Sequence, residues 1–303
     1  MSARIALAAL ALLPASCVGA PAENGPAPRA SEAAFAERCT DWDDWDKPAE
    51  PFRIHGNTYY VGTCGITALL VTGDAGHVLI DSGTAAGAQV IMRNVAALGF
   101  DLADVKILLN SHEHYDHVGG MAALQRATGA TVLTSPQALA VLRTGRDNPA
   151  DPQAGEHAPM EPVANVQDGL LPFPADGAHP VYLGNLELSA WATPGHTLGA
   201  LSWTWETCEG SDCKRVVYAD SLSPISADGY RFSDHPGYVA AFRSGLAALA
   251  ELDCDILLTP HPSASEMRTR LLAGDLTSGM NCREYAGIID SRLTERLAAE
   301  AAQ

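Results

Sequence analysis

Hydrophobic and polar positions change period several times along the chain. Residues 52–84 are dense in β-branched and aromatic side chains and are broken by turn residues at His55-Gly56-Asn57 and Gly73-Asp74-Ala75-Gly76, a pattern that predicts antiparallel strands. Residues 85–98 carry apolar positions at helical spacing. A short apolar strand is predicted at 105–109 and a histidine-rich loop at 111–120. A helix over 118–127, a strand at 131–133 and a helix over 136–142 follow. Residues 144–180 are rich in Pro, Asp and Gly, and a loop of that length in a compact domain is a functional or mobile one. Strands resume at 186–192, 200–206 and 215–219. An amphipathic helix is predicted at 237–252, a last strand at 255–258, and helical segments to the C-terminus. Residues 23–50, rich in Ala, Pro, Glu and Asp, read as an irregular arm. The order is β-rich, α/β, β-rich, α/β, without a repeat unit of solenoid length, so the chain reads as an α+β protein with two packed sheets and helices outside. No linker divides residues 23–303, which are expected to form a single domain.

The first 22 residues differ from the rest. Arg4 precedes an apolar run at 5–13 too short to span a bilayer, and Ala20-Pro21-Ala22 resembles a cleavage site, so residues 1–22 read as a secretory signal peptide and the protein as periplasmic. The rival reading is lipid attachment at Cys17, and without it the mature form is expected to have no membrane association. Removal of the segment leaves six cysteines in an oxidising compartment, which predicts a disulfide framework. Cys208 and Cys213 enclose only four residues and suit the staple of one hairpin. The 303 residues are 47% hydrophobic, a globular composition that excludes a coiled coil or a multi-span membrane protein. The net charge of −17 repels phosphate backbones and anionic headgroups, so nucleic acid is not an expected partner.

The strongest chemical signal is Asn110-Ser111-His112-Glu113-His114-Tyr115-Asp116-His117, directly after an apolar strand. His112 and His114 are two apart and face the same side of an extended backbone. Asp116 and His117 follow the bend and face a neighbouring point, so one loop offers ligands to two metal positions. Imidazole plus carboxylate without thiolate suits Zn²⁺. His196, in Thr193-Pro194-Gly195-His196-Thr197, and His261, in Thr259-Pro260-His261-Pro262, also follow strands and complete the ligand count. His55, His77, His157, His179 and His235 sit in turns, at a strand end or in polar stretches and read as solvated.

These motifs resemble the metallo-β-lactamase superfamily, whose fold is a four-layer αββα sandwich with the metals at one edge of the sheets. Val78-Leu79-Ile80-Asp81-Ser82-Gly83 resembles that fold's early structural aspartate. Over nearly the whole mature chain the finer match is to the third subclass of the class B zinc β-lactamases. It is carried by Gly62-Thr63-Cys64-Gly65-Ile66-Thr67, the metal loop, Trp203-Thr204-Trp205, Tyr218-Ala219-Asp220-Ser221-Leu222-Ser223, and residues 253–265. One departure is Leu198, where the family usually has proline beside the ligand loop.

The resemblance implies two zinc ions, one on His112, His114 and His196, the other on Asp116, His117 and His261. It implies a zinc-bridging hydroxide as nucleophile, oriented by Asp116, that opens the amide of penicillins, cephalosporins and carbapenems and so confers antibiotic resistance. Ser221 and Ser223 would bind the substrate carboxylate, Gln153 would border the pocket, and Trp45 would line its mouth. Family precedent pairs Cys39 with Cys64, Cys208 with Cys213 and Cys254 with Cys282. A monomer with a small-molecule substrate is expected. The alternative is a secreted metallo-hydrolase of the same fold acting on lactones or on thioesters in the manner of glyoxalase II, in which Asp220 would bridge both metals; a zinc-stabilised binding protein without turnover is a third class. The string Ser211-Asp212-Cys213-Lys214 matches the S-x-x-K of serine β-lactamases, but it spans the cysteine hairpin, and neither S-D-N nor K-T-G occurs.

Overall fold

The computed structural model describes residues 30–167 and 177–302. The expected signal peptide and Cys17 lie outside them, and among the described residues no helix is long and apolar enough to cross a membrane. Two sheets stack face to face. The first runs in sequence order β1 (Phe52–His55), β2 (Thr58–Tyr60), β3 (Leu69–Gly73), β4 (Gly76–Ile80), β5 (Val105–Leu109), β6 (Thr131–Leu133) and β7 (Val166–Gln167). Its pairings are antiparallel as far as β4 and parallel from there on. The second contains β8 (His179–Leu183), β9 (Leu186–Ala192), β10 (Leu201–Glu209), β11 (Asp212–Tyr218) and β12 (Ile256–Leu258), antiparallel except for the β11–β12 pair.

Helices cover both outer faces. α1 (Ala30–Arg38), α2 (Gly87–Ala97), α3 (Tyr115–Val118), α4 (Met121–Thr128) and α5 (Pro136–Thr144) belong to the first half. α6 (Pro236–Ala250), α7 (Met267–Leu272) and α8 (Cys282–Ala301) belong to the second. The period-2 alternation of strands sorts their side chains into separate cores. Leu69 and Val71 meet Trp203, Trp205, Val216 and Tyr218 between the sheets, whereas Leu70 points the other way, toward α2, α4 and α5. Val217 and Leu257 likewise face Phe242 of α6 and Ile289 and Leu293 of α8. The result is an αββα sandwich. Both intersheet tryptophans satisfy their indole N–H across the gap, Trp203 to the carbonyl of Asn110 and Trp205 to Thr58 Oγ1, each at 2.9 Å.

Four local expectations are corrected. The arm is not wholly irregular: α1 forms within it because Phe35 and Ala36 bury against Phe52 and Tyr60. The histidine-rich loop contains the single turn α3. The long loop pairs with the first sheet through β7. An extra strand, β8, lies at the outer edge of the second sheet, where Pro180 is tolerated because only one side of the strand is paired.

Disulfides join Cys39 to Cys64, Cys208 to Cys213 and Cys254 to Cys282. The second closes the β10–β11 hairpin, where the two residues are cross-strand partners.

Candidate metal centre

The candidate ligands follow the C-terminal ends of strands in both sheets: the histidine loop follows β5, His196 follows β9 and His261 follows β12. His114 keeps an extended backbone (φ −74°, ψ 152°) as the N-cap of α3, so His112 and His114 share a side and the helical turn swings Asp116 and His117 to a second point. One nitrogen each of His112, His114 and His196 lie within 4.8 Å of one another, and all three residues are buried. Asp116 Oδ2 lies 3.0 Å from His117 Nε2 and 3.3 Å from His261 Nε2. The six candidate residues thus fall into two adjacent sets, with the rings of His112 and His117 4.2 Å apart between centroids.

Four of the five imidazoles are tied from behind by a hydrogen bond at the outer nitrogen. His112 Nδ1 donates to Asp220 Oδ1 at 2.9 Å, His114 Nε2 to Asp151 Oδ1 at 3.2 Å, His196 Nδ1 to the carbonyl of Ser223 at 3.0 Å, and His261 Nδ1 to the carbonyl of Gly65 at 3.2 Å. His117 Nδ1 faces Asp81 Oδ2 at 3.4 Å. Such outer partners fix the tautomer of metal-binding histidines and leave the inner nitrogen as a donor pair. His112 Nε2 is buried and finds no hydrogen-bond partner among the described residues, as the ligating nitrogen of a metal-binding histidine would be placed. Burial holds the imidazolium forms of His112 and His196 well below the usual range, so both rings are neutral and ready to ligate. Burial alone would raise Asp116, but the His117 and His261 imidazoles hold it well below the usual carboxylate range, as a ligand anion requires. The donor set therefore fits a borderline metal in oxygen and nitrogen coordination.

Three carboxylates near the motif are not turned toward this centre. Glu113 is buried and accepts from Thr197 Oγ1 at 2.7 Å and from the Gly199 amide at 3.1 Å, pinning the His196 loop to the histidine loop. Asp81, at φ +65°, accepts from the Ser111 amide at 2.6 Å, Ser111 Oγ at 2.8 Å and Tyr218 OH at 2.6 Å, and braces the floor of the loop. Asp220 is fully buried behind His112, its second oxygen taking the Leu222 amide at 3.3 Å.

Ser221 Oγ is buried without a hydrogen-bond partner among the described residues. Ser223 Oγ lies 3.4 Å from His196 Nδ1, and Gln153 Nε2 lies 3.4 Å from His196 Nε2. The Trp45 ring is exposed 6.4 Å from that of His261. The sequence reading did not single out three neighbours. Trp42 stands beside Trp45, 6.0 Å from His261, held by its amide on Ser263 Oγ at 2.7 Å. Asp151 anchors His114. His157, read from sequence as solvated, instead packs on His114, the rings tilted by 37° with centroids 4.4 Å apart. The only signal for the last two was their place in the long Pro-rich loop. His55 is likewise buried rather than solvated, with Nε2 3.0 Å from the carbonyl of Asp212.

A family model described as the metallo-beta-lactamase superfamily matches residues 61–209. The structure is similar to that of the MIM-2 metallo-beta-lactamase, with 55% sequence identity and a TM-score of 0.81 over 90% of this chain and 99% of that chain. It is similar to MEM-A1, a subclass B3 metallo-beta-lactamase isolated from a soil metagenome library, with 45% identity and a TM-score of 0.79 over 86% of this chain and 99% of that chain. Among curated proteins, a hydroxyacylglutathione hydrolase of Bradyrhizobium sp. (strain ORS 278) is 30% identical over 159 residues, 50% of this chain and 48% of that protein. The chain spans about half the length of the curated relatives it matches.

Proposed function

Because the chain belongs to the metallo-beta-lactamase superfamily and is similar over most of its length to subclass B3 enzymes, we propose that it is a hydrolase that opens the amide of β-lactam antibiotics with two zinc ions. The observation that carries the reading is the pair of ligand sets facing inward from strand ends while Asp220 is turned to the back of His112. In a thioester hydrolase of the glyoxalase II type the carboxylate at that place would face both metals, so its orientation favours the β-lactam reading.

His112, His114 and His196 would hold one zinc, and Asp116, His117 and His261 the other. Bound zinc supplies Lewis acidity, which makes water a nucleophile near neutral pH and polarises the amide carbonyl. Asp116 orients the attacking water through the carboxylate oxygen not turned to His117 and His261. Ser221 and Ser223 hydrogen-bond the substrate carboxylate, and Gln153 borders the reacting ring on the tri-histidine side. Asp151, Asp220 and the carbonyls of Ser223 and Gly65 keep the imidazoles from reorienting during turnover, so little reorganisation is needed as charge develops. No side chain is acylated, and clavulanate, which traps serine nucleophiles, leaves turnover unchanged.

Residues 1–22 direct export in this reading, residues 23–303 act as a single monomeric domain in the periplasm, and three disulfides suit that oxidising compartment. Penicillins, cephalosporins and carbapenems are the proposed substrates. The test is carbapenem hydrolysis by purified mature protein, followed by ultraviolet absorbance with added zinc or with EDTA. Rapid ring opening abolished by EDTA is expected. Zinc-loaded protein that turns over thioesters or acyl-homoserine lactones but no β-lactam would overturn the proposal.

A further inference from the structure

The segment from Ser221 to Ser233 carries both serines assigned to the substrate carboxylate, yet it holds no strand and only the start of one 3₁₀ turn (Phe232–Asp234). With no sheet ladder to place it, its position is set by the groups that satisfy its backbone. At both ends of the segment those groups come from α8, while between them His196 Nδ1 meets the carbonyl of Ser223 and Asp220 the amide of Leu222. Near the start of α8, Tyr285 OH donates to the carbonyls of Ser221 at 2.6 Å and Asp220 at 3.1 Å. Near its end, the Arg296 guanidinium donates to Ser226 Oγ at 2.8 Å, to the carbonyl of Tyr230 at 3.2 Å and to Glu300 Oε1 at 2.7 Å.

Glu300 is 3% exposed, although it lies in the last turn of the terminal helix. Its carboxylate accepts from the amides of Phe232 at 3.1 Å and Ser233 at 2.8 Å, and its carbonyl accepts from the Arg231 guanidinium. A buried glutamate met by two backbone amides and a guanidinium is a clamp, since charge-assisted bonds of this kind are short and about twice as strong as neutral ones. The clamped segment also reaches the opposite rim of the site: the Ala227 amide donates to the carbonyl of Pro152 at 2.8 Å, next to Gln153.

We propose that Glu300 and Arg296 are positioning residues for the β-lactam, holding the 221–233 segment so that Ser223 meets the substrate carboxylate at a fixed place. The inference rests on the reading of Ser223 as a carboxylate contact. Neither residue touches substrate or metal. The near end of the segment remains fixed by Tyr285, so releasing the far end weakens substrate binding while the metal ligands stay in place.

The test compares wild type, Glu300→Gln, Arg296→Lys and Ser223→Ala on a β-lactam and on its methyl ester, which lacks the carboxylate. Glu300→Gln is expected to raise KM for the acid about five-fold with kcat within about two-fold, as loss of binding common to ground and transition states does. KM for the ester and the two zinc ions per chain stay unchanged, and Arg296→Lys, which keeps the charge, gives a smaller rise. Should Glu300→Gln fail to fold, Arg296→Ala carries the same comparison. Equal losses on acid and ester, or a fall in kcat at constant KM, would mean that the clamp only supports the fold and would overturn the proposal. If Ser223→Ala raises KM and the clamp variants do not, the clamp is refuted and the serine assignment stands. If Ser223→Ala has no effect, the assignment falls and the clamp proposal with it.

Discussion

Replacing Asp220 with alanine removes the carboxylate that accepts from His112 Nδ1 at 2.9 Å and leaves that buried N–H only the weaker contact with Ser111 Oγ at 3.2 Å. Loss of a buried partner of this kind costs about 1–3 kcal/mol. Loss of the outer partner of a metal-binding histidine lowers metal affinity about 10–100-fold. The two figures agree, because each factor of ten corresponds to about 1.4 kcal/mol. The effect should fall on one zinc only: Asp220 touches His112 of the tri-histidine set, while Asp116, His117 and His261 are held by one another, by Asp81 and by the carbonyl of Gly65. Competition against a chromophoric chelator, fitted to two dissociation constants, reads this directly. The expected result is one constant weakened about 10–100-fold and the other changed by less than about three-fold, as for sites without a shared protein ligand. Equal weakening of both would show Asp220 to be a bridging ligand and would refute the reasoning. No change in either would show that His112 needs no carboxylate behind it.

Three further outcomes are expected. His114→Ala removes one of three ligands from a zinc that activates the nucleophile, and kcat should fall at least about 100-fold in a carbapenem assay, with the far-ultraviolet circular dichroism unchanged. Serine at both Cys39 and Cys64 frees a cross-link spanning 25 residues and should lower the unfolding free energy in urea by about 3–4 kcal/mol. Although burial opposes it, Arg296 and the amides of Phe232 and Ser233 pull the Glu300 carboxyl down from 4.5 to about 2. A carboxylate depressed in the fold stabilises it fully above its unfolded value, and that contribution is lost as pH falls through the folded one. Melting temperature should therefore drop between about pH 4.5 and 2, and Glu300→Gln should flatten that part of the profile.

The strands and the clustering of the candidate ligands were legible because their signals are local. Residues 52–84 alternate between turn residues and apolar runs, and five of the six ligand candidates are histidines directly after apolar strands. What was hidden depends on distant partners. α1 is anchored by Phe35, whose aromatic neighbours Phe52 and Tyr60 lie in β1 and β2. β8 contains a proline that argues against a strand until the edge position is known. His157 and Asp151 lie in a Pro- and Asp-rich stretch where no period marks them, and only the folded loop brings them against His114. The role of Asp220 needed orientation, which spacing does not encode: the same aspartate could face the metals or stand behind a ligand, and its bond to His112 favours the second reading.

The ligands reach the centre from both sheets, and this ties the metal to the order in which the chain can fold. His112, His114, Asp116 and His117 are present as soon as one loop forms, but His196 and His261 arrive only when β9 and β12 of the second sheet have docked. In the two-zinc reading proposed above, a half-folded chain would grip the metal weakly and only the finished sandwich would hold it tightly. Metal that prefers the finished state stabilises it by about 2.7 kcal/mol at a hundredfold excess over Kd. On that reading the supply of zinc would govern how long each molecule escapes proteolysis as well as how fast it turns over.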